Sequence, residues 1–166
     1  MEAEAAEPVE LKGTDMPEYR YLEDFSVGQT FKGRTVVTVK SEEIKAFAAQ
    51  FDPQPFHLDD TAAAASFFGG LVASGWHTAA MTMSMIVGSG INIPGGLIGA
   101  GAEELKWPRP VRPGDTLHIV SEVIEVRPSK SRPNQGIVKM RTQTMNQEDQ
   151  LVMNLVANLL VPRRPR

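Results

Sequence analysis

The chain has 166 residues, a formal net charge of −3 at pH 7 and 42% hydrophobic residues. This length accommodates one domain with a substantial core, and the lack of a basic cluster in its body argues against nucleic acid as a partner. It contains no cysteine, which excludes disulfides, thiolate nucleophiles and thiolate metal ligands.

The N-terminal segment predicts a tail. Its first residues, MEAEAAEPVELKGTD, are acidic and lack the basic and apolar regions of a signal peptide. No stretch reaches the apolar length that a membrane-spanning helix requires. We therefore expect a soluble, cytoplasmic protein in which residues 1–17 form a flexible tail and residues 18–166 form a single domain.

A strand and a short helix are the first predicted elements of the domain. The segment KGRTVVTVK (32–40) is rich in β-branched residues and predicts a strand. Ser41 is a suitable N-cap, and the two glutamates after it suit the positive end of a helix. Apolar residues then recur at helical spacing in EEIKAFAAQF, which predicts an amphipathic helix ending near residue 51.

The next stretch, FDPQPFHLDD (51–60), places Asp52 and His57 five positions apart. Its two prolines push the residue before each towards extended backbone, so we predict that the stretch is not helical. Two interpretations stay open here: a turn that terminates the helix, or a preorganised acid–base pair. Asp59 and Asp60 are expected to be solvated charges at the start of a further short helix.

A buried helix is predicted in SGWHTAAMTMSMIVGSG. Ser74 can cap its start, Gly88 or Gly90 can end it, and nearly every position between them is apolar or small. A helix that is apolar on almost all sides is a buried one. His77, in its first turn, is expected to be a packed, hydrogen-bonded structural residue.

The second half of the chain predicts an antiparallel meander. Four segments alternate and are separated by turn signals: LIGAGAEELKWPRPV, DTLHIVSEVIEVRP, GIVKMRTQTMN and QLVMNLVANLLVP. The connection RPGD (112–115) has the proline and glycine of a type II turn. One buried helix against a long antiparallel sheet makes an α+β domain.

With these elements in order, residues 51–57 resemble the hydratase motif of the MaoC-like family, the (R)-specific enoyl-CoA hydratases. The family's usual form is Gly-Asp-x-Asn-Pro-x-His, and this chain has Phe-Asp-Pro-Gln-Pro-Phe-His. The aspartate, the second proline and the histidine match, whereas Phe51 and Gln54 replace the glycine and the asparagine, as in a bacterial branch of the family. YLEDFSVGQTF, FGGLVASGWHTAAM and PVRPGD match as well, so the resemblance spans about residues 20–162.

The resemblance implies a hot-dog fold, in which an antiparallel sheet wraps around one long central helix. It also implies a homodimer that binds acyl thioesters near the subunit boundary. Asp52 and His57 would be catalytic: together they hold one water and exchange its protons, since surroundings can move the pKa of each towards neutrality. Which of them is the base stays open. The backbone N–H of Gly75 would donate to the enolate oxygen, although a tight entry into the helix also requires glycine.

Further candidates rest on charge alone. Arg109, Lys130 and Arg132 are candidate contacts for the phosphates of coenzyme A, although exposed cations are common. Asp59 and Asp60 lie in one run with the histidine of the motif and lack a second cluster, so we predict no metal site. The glycines do not have phosphate-loop spacing, and we predict no cofactor.

The predicted function is that of a hydro-lyase that adds water reversibly to the double bond of an α,β-enoyl thioester, converting an enoyl-CoA into an (R)-3-hydroxyacyl-CoA. One alternative is a hot-dog acyl-CoA thioesterase, in which the activated water attacks the carbonyl carbon. Another is a non-catalytic module that binds acyl-CoA or acyl-carrier thioesters. The aspartate and histidine argue against the module, because a bare binding site needs neither.

Overall fold

The computed structural model describes residues 18–166, so the tail predicted at residues 1–17 lies outside the described residues. A 3-10 turn (Leu22–Asp24) precedes the first strand. The helices are α1 (Ser41–Phe51), α2 (Pro55–Leu58), α3 (Asp60–Ala64) and α4 (Gly75–Val87), and the strands are β1 (Thr30–Lys32), β2 (Val37–Thr38), β3 (Ile98–Lys106), β4 (Thr116–Pro128), β5 (Gln135–Met145) and β6 (Leu151–Pro162).

The strands form an antiparallel sheet in the order β1-β4-β5-β6-β3, and β2 pairs with β4 as well. Successive side chains of a strand point to opposite faces, and β4 and β5 accordingly bury every second residue along most of their length. The helix α4 packs on the buried face, as shown by its buried residues Thr82 and Met85. The predicted α+β class, with a sheet wrapped around one helix, is therefore confirmed.

The predicted meander is correct for β4, β5 and β6 and wrong for β3. Strand β3 pairs with β6 at the far edge of the sheet and not with β4, although the two are consecutive in the chain. The segment between them, WPRPVRPGD, contains three prolines, which cannot donate to a sheet ladder and favour an extended crossing over a tight hairpin. Its last part is a turn with Gly114 at φ +88° and an Asp115 N–H that donates to the Arg112 carbonyl, as a type II turn requires.

The strand predicted at residues 32–40 is interrupted. Strand β1 ends at Lys32 and β2 begins at Val37, and both pair with β4. Gly33 lies so close to the sheet that a Cβ there would be 2.8 Å from Ile119 Cγ1, which favours glycine at this position. Ser41 is the first residue of α1 and not its N-cap; Lys40 takes that position without a side-chain hydrogen bond.

The stretch 51–60 contains one turn of helix that was not predicted. Asp52 and Gln54 have non-helical backbone, at φ −151° and −94°, as the prolines require. Pro55, however, begins α2, because a proline at the first helical position has a suitable φ and its missing N–H is not needed there. This single turn directs His57 into the interior, where the residue is 5% exposed.

Most of α4 is buried, but one side of it is not covered by the residues that the structure describes. The buried residues of this helix include Met81, Met85 and Ile86. Four apolar residues at helical spacing are exposed and form what we call the α4 stripe: Trp76, Ala80, Met83 and Val87. No helix within residues 18–166 combines the length and the apolar character needed to cross a bilayer.

Hydroxyl groups, and not only apolar side chains, join α4 to the sheet. Thr82 Oγ1 on α4 lies 2.7 Å from Thr144 Oγ1 on β5, and both residues are fully buried. A second buried pair, Ser121 and Thr142, joins β4 to β5 at 2.8 Å. Buried hydroxyls destabilise a fold unless they find partners, so each pair fixes its two elements in one register.

We expect Thr82→Val, which keeps the shape of the side chain, to lower the free energy of unfolding by about 1–3 kcal/mol, because it leaves the Thr144 hydroxyl buried without its partner. Thr82→Val/Thr144→Val should be less destabilised than the sum of the two single variants, since neither hydroxyl then remains. Urea unfolding of the four proteins measures both effects. Additive losses would show that the two hydroxyls do not depend on each other.

Candidate active site

The ends of two helices bring Asp52 and His57 together. Asp52 follows the last residue of α1, where its N–H donates to the Ala48 carbonyl at 2.9 Å, and His57 lies on α2. Asp52 Oδ2 and His57 Nε2 are 3.3 Å apart, and the side chains are 17% and 6% exposed. The geometry thus favours the acid–base pair over a simple helix-terminating turn.

The other ring nitrogen of His57 determines how this pair can hold protons. Nδ1 lies 2.7 Å from the Val72 carbonyl oxygen, which can only accept, so Nδ1 must carry a hydrogen. In the neutral imidazole Nε2 is then an acceptor, and it faces a carboxylate that is an acceptor too. The two groups are compatible only when a proton lies between them, on the imidazolium or on a donor such as water that reaches both.

Two side chains hold the Asp52 carboxylate. Ser74 Oγ donates to Oδ2 at 2.6 Å and Gln54 Nε2 donates to Oδ1 at 2.7 Å. The Ser74 hydrogen bond is the largest influence and lowers the pKa of Asp52, burial acts in the opposite direction, and Gln54 and His57 lower the pKa further. The pKa of Asp52 is therefore shifted away from neutral pH, contrary to the expectation for the pair, and the carboxylate is ionised at physiological pH.

Ser74 has two roles, of which the sequence indicated only one. Its hydroxyl accepts from the Trp76 N–H at 3.2 Å, which confirms the predicted N-cap of α4. The same hydroxyl donates to Asp52, 22 positions earlier in the chain. No local pattern encodes this contact, because it depends on how the start of α4 meets the end of α1.

Gly75 is the first residue of α4, and backbone N–H groups of a first turn have no partner inside the helix. It lines a cleft of about 380 Å³ that also contains Asp52 and His57. The other walls are mainly aromatic, from Phe56, Phe67, Phe68, Trp76 and Trp107. The carboxylate, the imidazole and the helix N-terminus thus share one largely apolar space, in which electrostatic interactions are strengthened.

Of the three candidate cations, only Arg109 lines this cleft. It is tethered there by a hydrogen bond of 3.2 Å from Nη1 to the Leu151 carbonyl. Lys130 and Arg132 belong to the connection between β4 and β5 and do not line the cleft of this chain. They stay predictions, because nothing in the geometry of the described residues joins them to the site.

His77 lies outside the cleft. It is 8% exposed and stacks on Phe47 with ring centroids 4.7 Å apart, which confirms its predicted packing. The predicted hydrogen bonding is wrong for Nδ1, which has no partner among residues 18–166. Burial lowers the pKa of His77, and the charge of Glu43 opposes this shift, so the ring is neutral at physiological pH.

The two aspartates after the motif have structural partners. Asp59 caps α3 by accepting from the Ala62 N–H at 2.7 Å, and Asp60 pairs with Lys45 at 2.6 Å. The expectation of two solvated charges at a helix start is therefore correct, since both residues are exposed, and each carboxylate also has one partner. Within the described part of the chain, no three His, Asp or Glu side chains are grouped as a metal ion would need.

Known proteins share this fold and much of this sequence. The family model for the MaoC like domain matches residues 24–146. A 3-hydroxybutyryl-CoA dehydratase from Methylorubrum extorquens is 30% identical over 152 residues, which cover 90% of each chain. The crystal structure of a MaoC-like dehydratase from Rhodospirillum rubrum has a TM-score of 0.84 at 51% identity and covers 89% of this chain and 99% of its own. The structure of the (R)-hydratase PhaJ1 from Pseudomonas aeruginosa has a TM-score of 0.67 at 27% identity, and the match covers 87% of this chain and 86% of that one. These likenesses confirm the hot-dog fold.

We expect Ser74→Ala to raise the pKa of Asp52 relative to the wild type, because it removes the largest influence that lowers this pKa. The unfolded chain titrates this group near pH 4, above the lowered folded value. The contribution of Asp52 to stability is thus complete above about pH 4 and is lost as the pH falls through the folded pKa. The stability difference between the wild type and Ser74→Ala should accordingly be larger at pH 6 than at pH 2.

Carbon-detected NMR titration of the Asp52 carboxyl and urea unfolding at several pH values measure these effects. The loss of the N-cap, about 1 kcal/mol, does not depend on this titration and separates from it. Ser41→Ala is the matched control, since Ser41 makes no capping hydrogen bond. An unchanged Asp52 titration in Ser74→Ala would contradict the assigned cause.

Proposed function

Because this chain belongs to the family of MaoC-like domains, we propose that it is a hydro-lyase that adds water reversibly to the double bond of an α,β-enoyl thioester. The observation that supports this most directly is the 3.3 Å approach of Asp52 to His57 beside Gly75. In the proposed forward direction an enoyl-CoA gives an (R)-3-hydroxyacyl-CoA. The described relatives, a 3-hydroxybutyryl-CoA dehydratase and an (R)-hydratase, are named for reactions of this kind.

The acid–base pair supplies the first part of this chemistry. With Nδ1 of His57 committed to Val72, a water molecule can donate one hydrogen to Nε2 and the other to Asp52. Its oxygen then directs a lone pair at the β-carbon. As the C–O bond forms, the water gives one proton to the pair, and a carboxylate close to Nε2 stabilises positive charge that develops on the ring.

The thioester oxygen receives the electrons that leave the double bond. Attack at the β-carbon pushes the π electrons towards the carbonyl, and negative charge develops on its oxygen. We propose that the Gly75 N–H donates to this enolate oxygen, supported by the positive end of the α4 dipole. The pair then delivers one proton to the α-carbon. One O–H bond of water is broken, one C–O and one C–H bond are formed, and the site regains its starting protonation.

The proposed carrier of the acyl group is coenzyme A or an acyl-carrier arm. The aromatic walls of the cleft suit an acyl chain, and Arg109 offers a positive charge beside them. Among residues 18–166, Asp52 is the only other residue lining the cleft that carries a fixed charge, and the proposed mechanism already employs it. We therefore propose that Arg109 contacts an anionic group of the thioester, either on coenzyme A or on an acyl-carrier arm.

A homodimer is the proposed assembly. The α4 stripe is apolar, and Trp76 and Val87 within it are 59% and 62% exposed. Strand β3 forms an edge of the sheet and is exposed along most of its length. Uncovered apolar surfaces and unpaired edges both favour association, and an isologous partner would cover them together.

Asp52→Asn and His57→Gln should each lower the turnover of enoyl-CoA hydration by at least about a hundredfold, because proton transfer by positioned groups contributes about 10²–10⁴. The double variant should be little worse than either single one, since both groups act on the same water. Loss of the conjugated thioester absorbance measures hydration across a panel of acyl lengths. Far-ultraviolet circular dichroism confirms the fold of each variant.

Release of free thiol, followed in the same reactions, separates the alternatives. Hydration consumes the double bond and leaves the thioester intact, whereas a thioesterase releases thiol. Thiol release that depends on Asp52, without loss of the double bond, would replace the proposed reaction by thioester hydrolysis. Saturable binding with neither reaction would leave a binding module. Asp60→Asn is a matched control, since this carboxylate pairs with Lys45 away from the cleft.

We expect sedimentation at micromolar concentration to give twice the mass of the chain, because a partner would bury the α4 stripe. Met83→Lys places a charge in the middle of the stripe and outside the cleft lining, and should shift the equilibrium towards the monomer. Lys32→Gln, which also changes the net charge by one unit and lies on the short strand β1, should leave the mass unchanged. An active monomer of the wild type would contradict the proposed assembly.

A further inference from the structure

The two tryptophans of the sequence meet at the cleft. Trp76 lies on α4 and Trp107 directly follows β3, and these are the only tryptophans in the chain. Their ring centroids are 5.4 Å apart with an interplanar angle of 79°, an edge-to-face contact. Both rings line the cleft, and they are 59% and 40% exposed. All tryptophan emission of this protein therefore originates at the candidate site.

Trp107 lies directly against Gly75. A Cβ built on Gly75 would be 2.7 Å from Cε2, 2.9 Å from Cδ2 and 3.0 Å from Cζ2 of the indole. These atoms belong to a rigid ring system, so they cannot yield as the end of a flexible side chain would. The backbone of Gly75 is helical, and it is not among the glycines with positive φ. The reason for a glycine here is therefore the indole and not the conformation of the main chain.

The indole is itself held by its surroundings. Trp76 contacts it from α4 at a steep interplanar angle. Two positions after Trp107, the Arg109 side chain is tied to the start of β6 through the Leu151 carbonyl. Proline at 108 and 110 restricts the backbone on both sides of Arg109. The segment after β3 thus presents a fixed aromatic face to the first residue of α4.

We propose that Trp107 is a positioning residue for the reaction: its indole fixes the Gly75 N–H at the thioester oxygen and forms the wall beside the bound thioester. This rests on the proposed function, in which Gly75 donates to the enolate oxygen. A donor of this kind acts only when it is held at hydrogen-bond distance from the developing charge, so a displacement of a few tenths of an ångström weakens it. The indole prevents such displacement on the side of the cleft, and Trp76 braces the indole.

A double-mutant cycle between positions 75 and 107 tests the contact through catalysis. Gly75→Ala keeps the N–H but places a methyl group within 3 Å of the indole, and should lower kcat by about a hundredfold, as loss of an oxyanion donor does. Trp107→Leu should lower kcat by about tenfold with a smaller change in KM, because the donor loses its support in the transition state. Trp107→Phe, which keeps an aromatic face, should retain kcat within about threefold.

The combined variant Gly75→Ala/Trp107→Leu provides the decisive comparison. Leucine leaves room for the new methyl group, so this protein should exceed Gly75→Ala in kcat by at least about tenfold. Losses in kcat that add would show that Trp107 does not act through Gly75. Urea unfolding of each variant shows that the comparison is between folded proteins, and if Gly75→Ala is unfolded, recovery of both fold and hydration in the combined variant supports the same contact.

Tryptophan emission gives a second measurement that does not require turnover. In Trp76→Phe the indole of Trp107 is the only emitter, and titration with butanoyl-CoA, which is saturated and is not hydrated, should shift or quench its emission. Emission that stays constant at concentrations that inhibit hydration would overturn the position of the thioester beside Trp107. If the wild type hydrates enoyl-CoA and the losses in kcat of the variants at positions 75 and 107 add, the positioning role alone is overturned. If the wild type does not hydrate enoyl-CoA, the proposed function is overturned as well.

Discussion

The hydrogen bond from Ser74 to Asp52 joins the two parts of the chain that build the site. Ser74 directly precedes α4 and Asp52 directly follows α1, and a distance of 2.6 Å between their oxygens fixes the end of one helix against the start of the other. The same hydroxyl caps α4, so the helix that presents Gly75 and the carboxylate that faces His57 share one anchor. Because this anchor also lowers the pKa of Asp52, the position and the charge of the carboxylate have a common origin.

A second constraint is that two hydrogen-bond acceptors, His57 Nε2 and the Asp52 carboxylate, face each other. His57 gives its Nδ1 hydrogen to Val72, and this leaves a lone pair that faces an ionised carboxylate. Protein groups alone do not satisfy such an arrangement unless the imidazole is charged. A site of this kind has a built-in affinity for a small molecule that donates twice, which is the property that a hydratase requires of its pocket.

Local patterns in the sequence predicted the helices and strands well, but they predicted less well which of these elements pack or pair with one another. Alternation gave the four long strands, and the glycines and Ser74 bounded α4, because these signals lie within a few residues of one another. The pairing of β3 with β6 was not predicted, since the period of a strand is the same whichever partner it has. The single turn α2 was missed because proline acts differently on its two sides. It disfavours helical backbone for the residue before it, but it can itself be the first residue of a helix.

The residues of the candidate site fall into the same two groups, those that a local pattern predicted and those that depend on contacts between distant segments. The motif and its resemblance placed Asp52, His57 and Gly75 in one cleft, and these are the residues that a local pattern can carry. Ser74 as a donor to Asp52 and Trp107 as the wall over Gly75 were not foreseen, because each contact joins segments more than twenty positions apart. The alternation of β4 and β5 likewise could not show that hydroxyl pairs contribute beside apolar packing. One such pair joins β4 to β5, and the other joins β5 to α4.

Trp76 belongs both to the cleft and to the α4 stripe. In the proposed dimer this one side chain would therefore contact both the neighbouring indole and the partner that covers the helix. Two binding equilibria that share such a residue are linked, and the linkage is reciprocal: a ligand that orders the indole pair strengthens the subunit contact by the same factor by which that contact strengthens the ligand. Occupancy of the cleft would then depend on protein concentration, even though the acid–base pair lies within one chain.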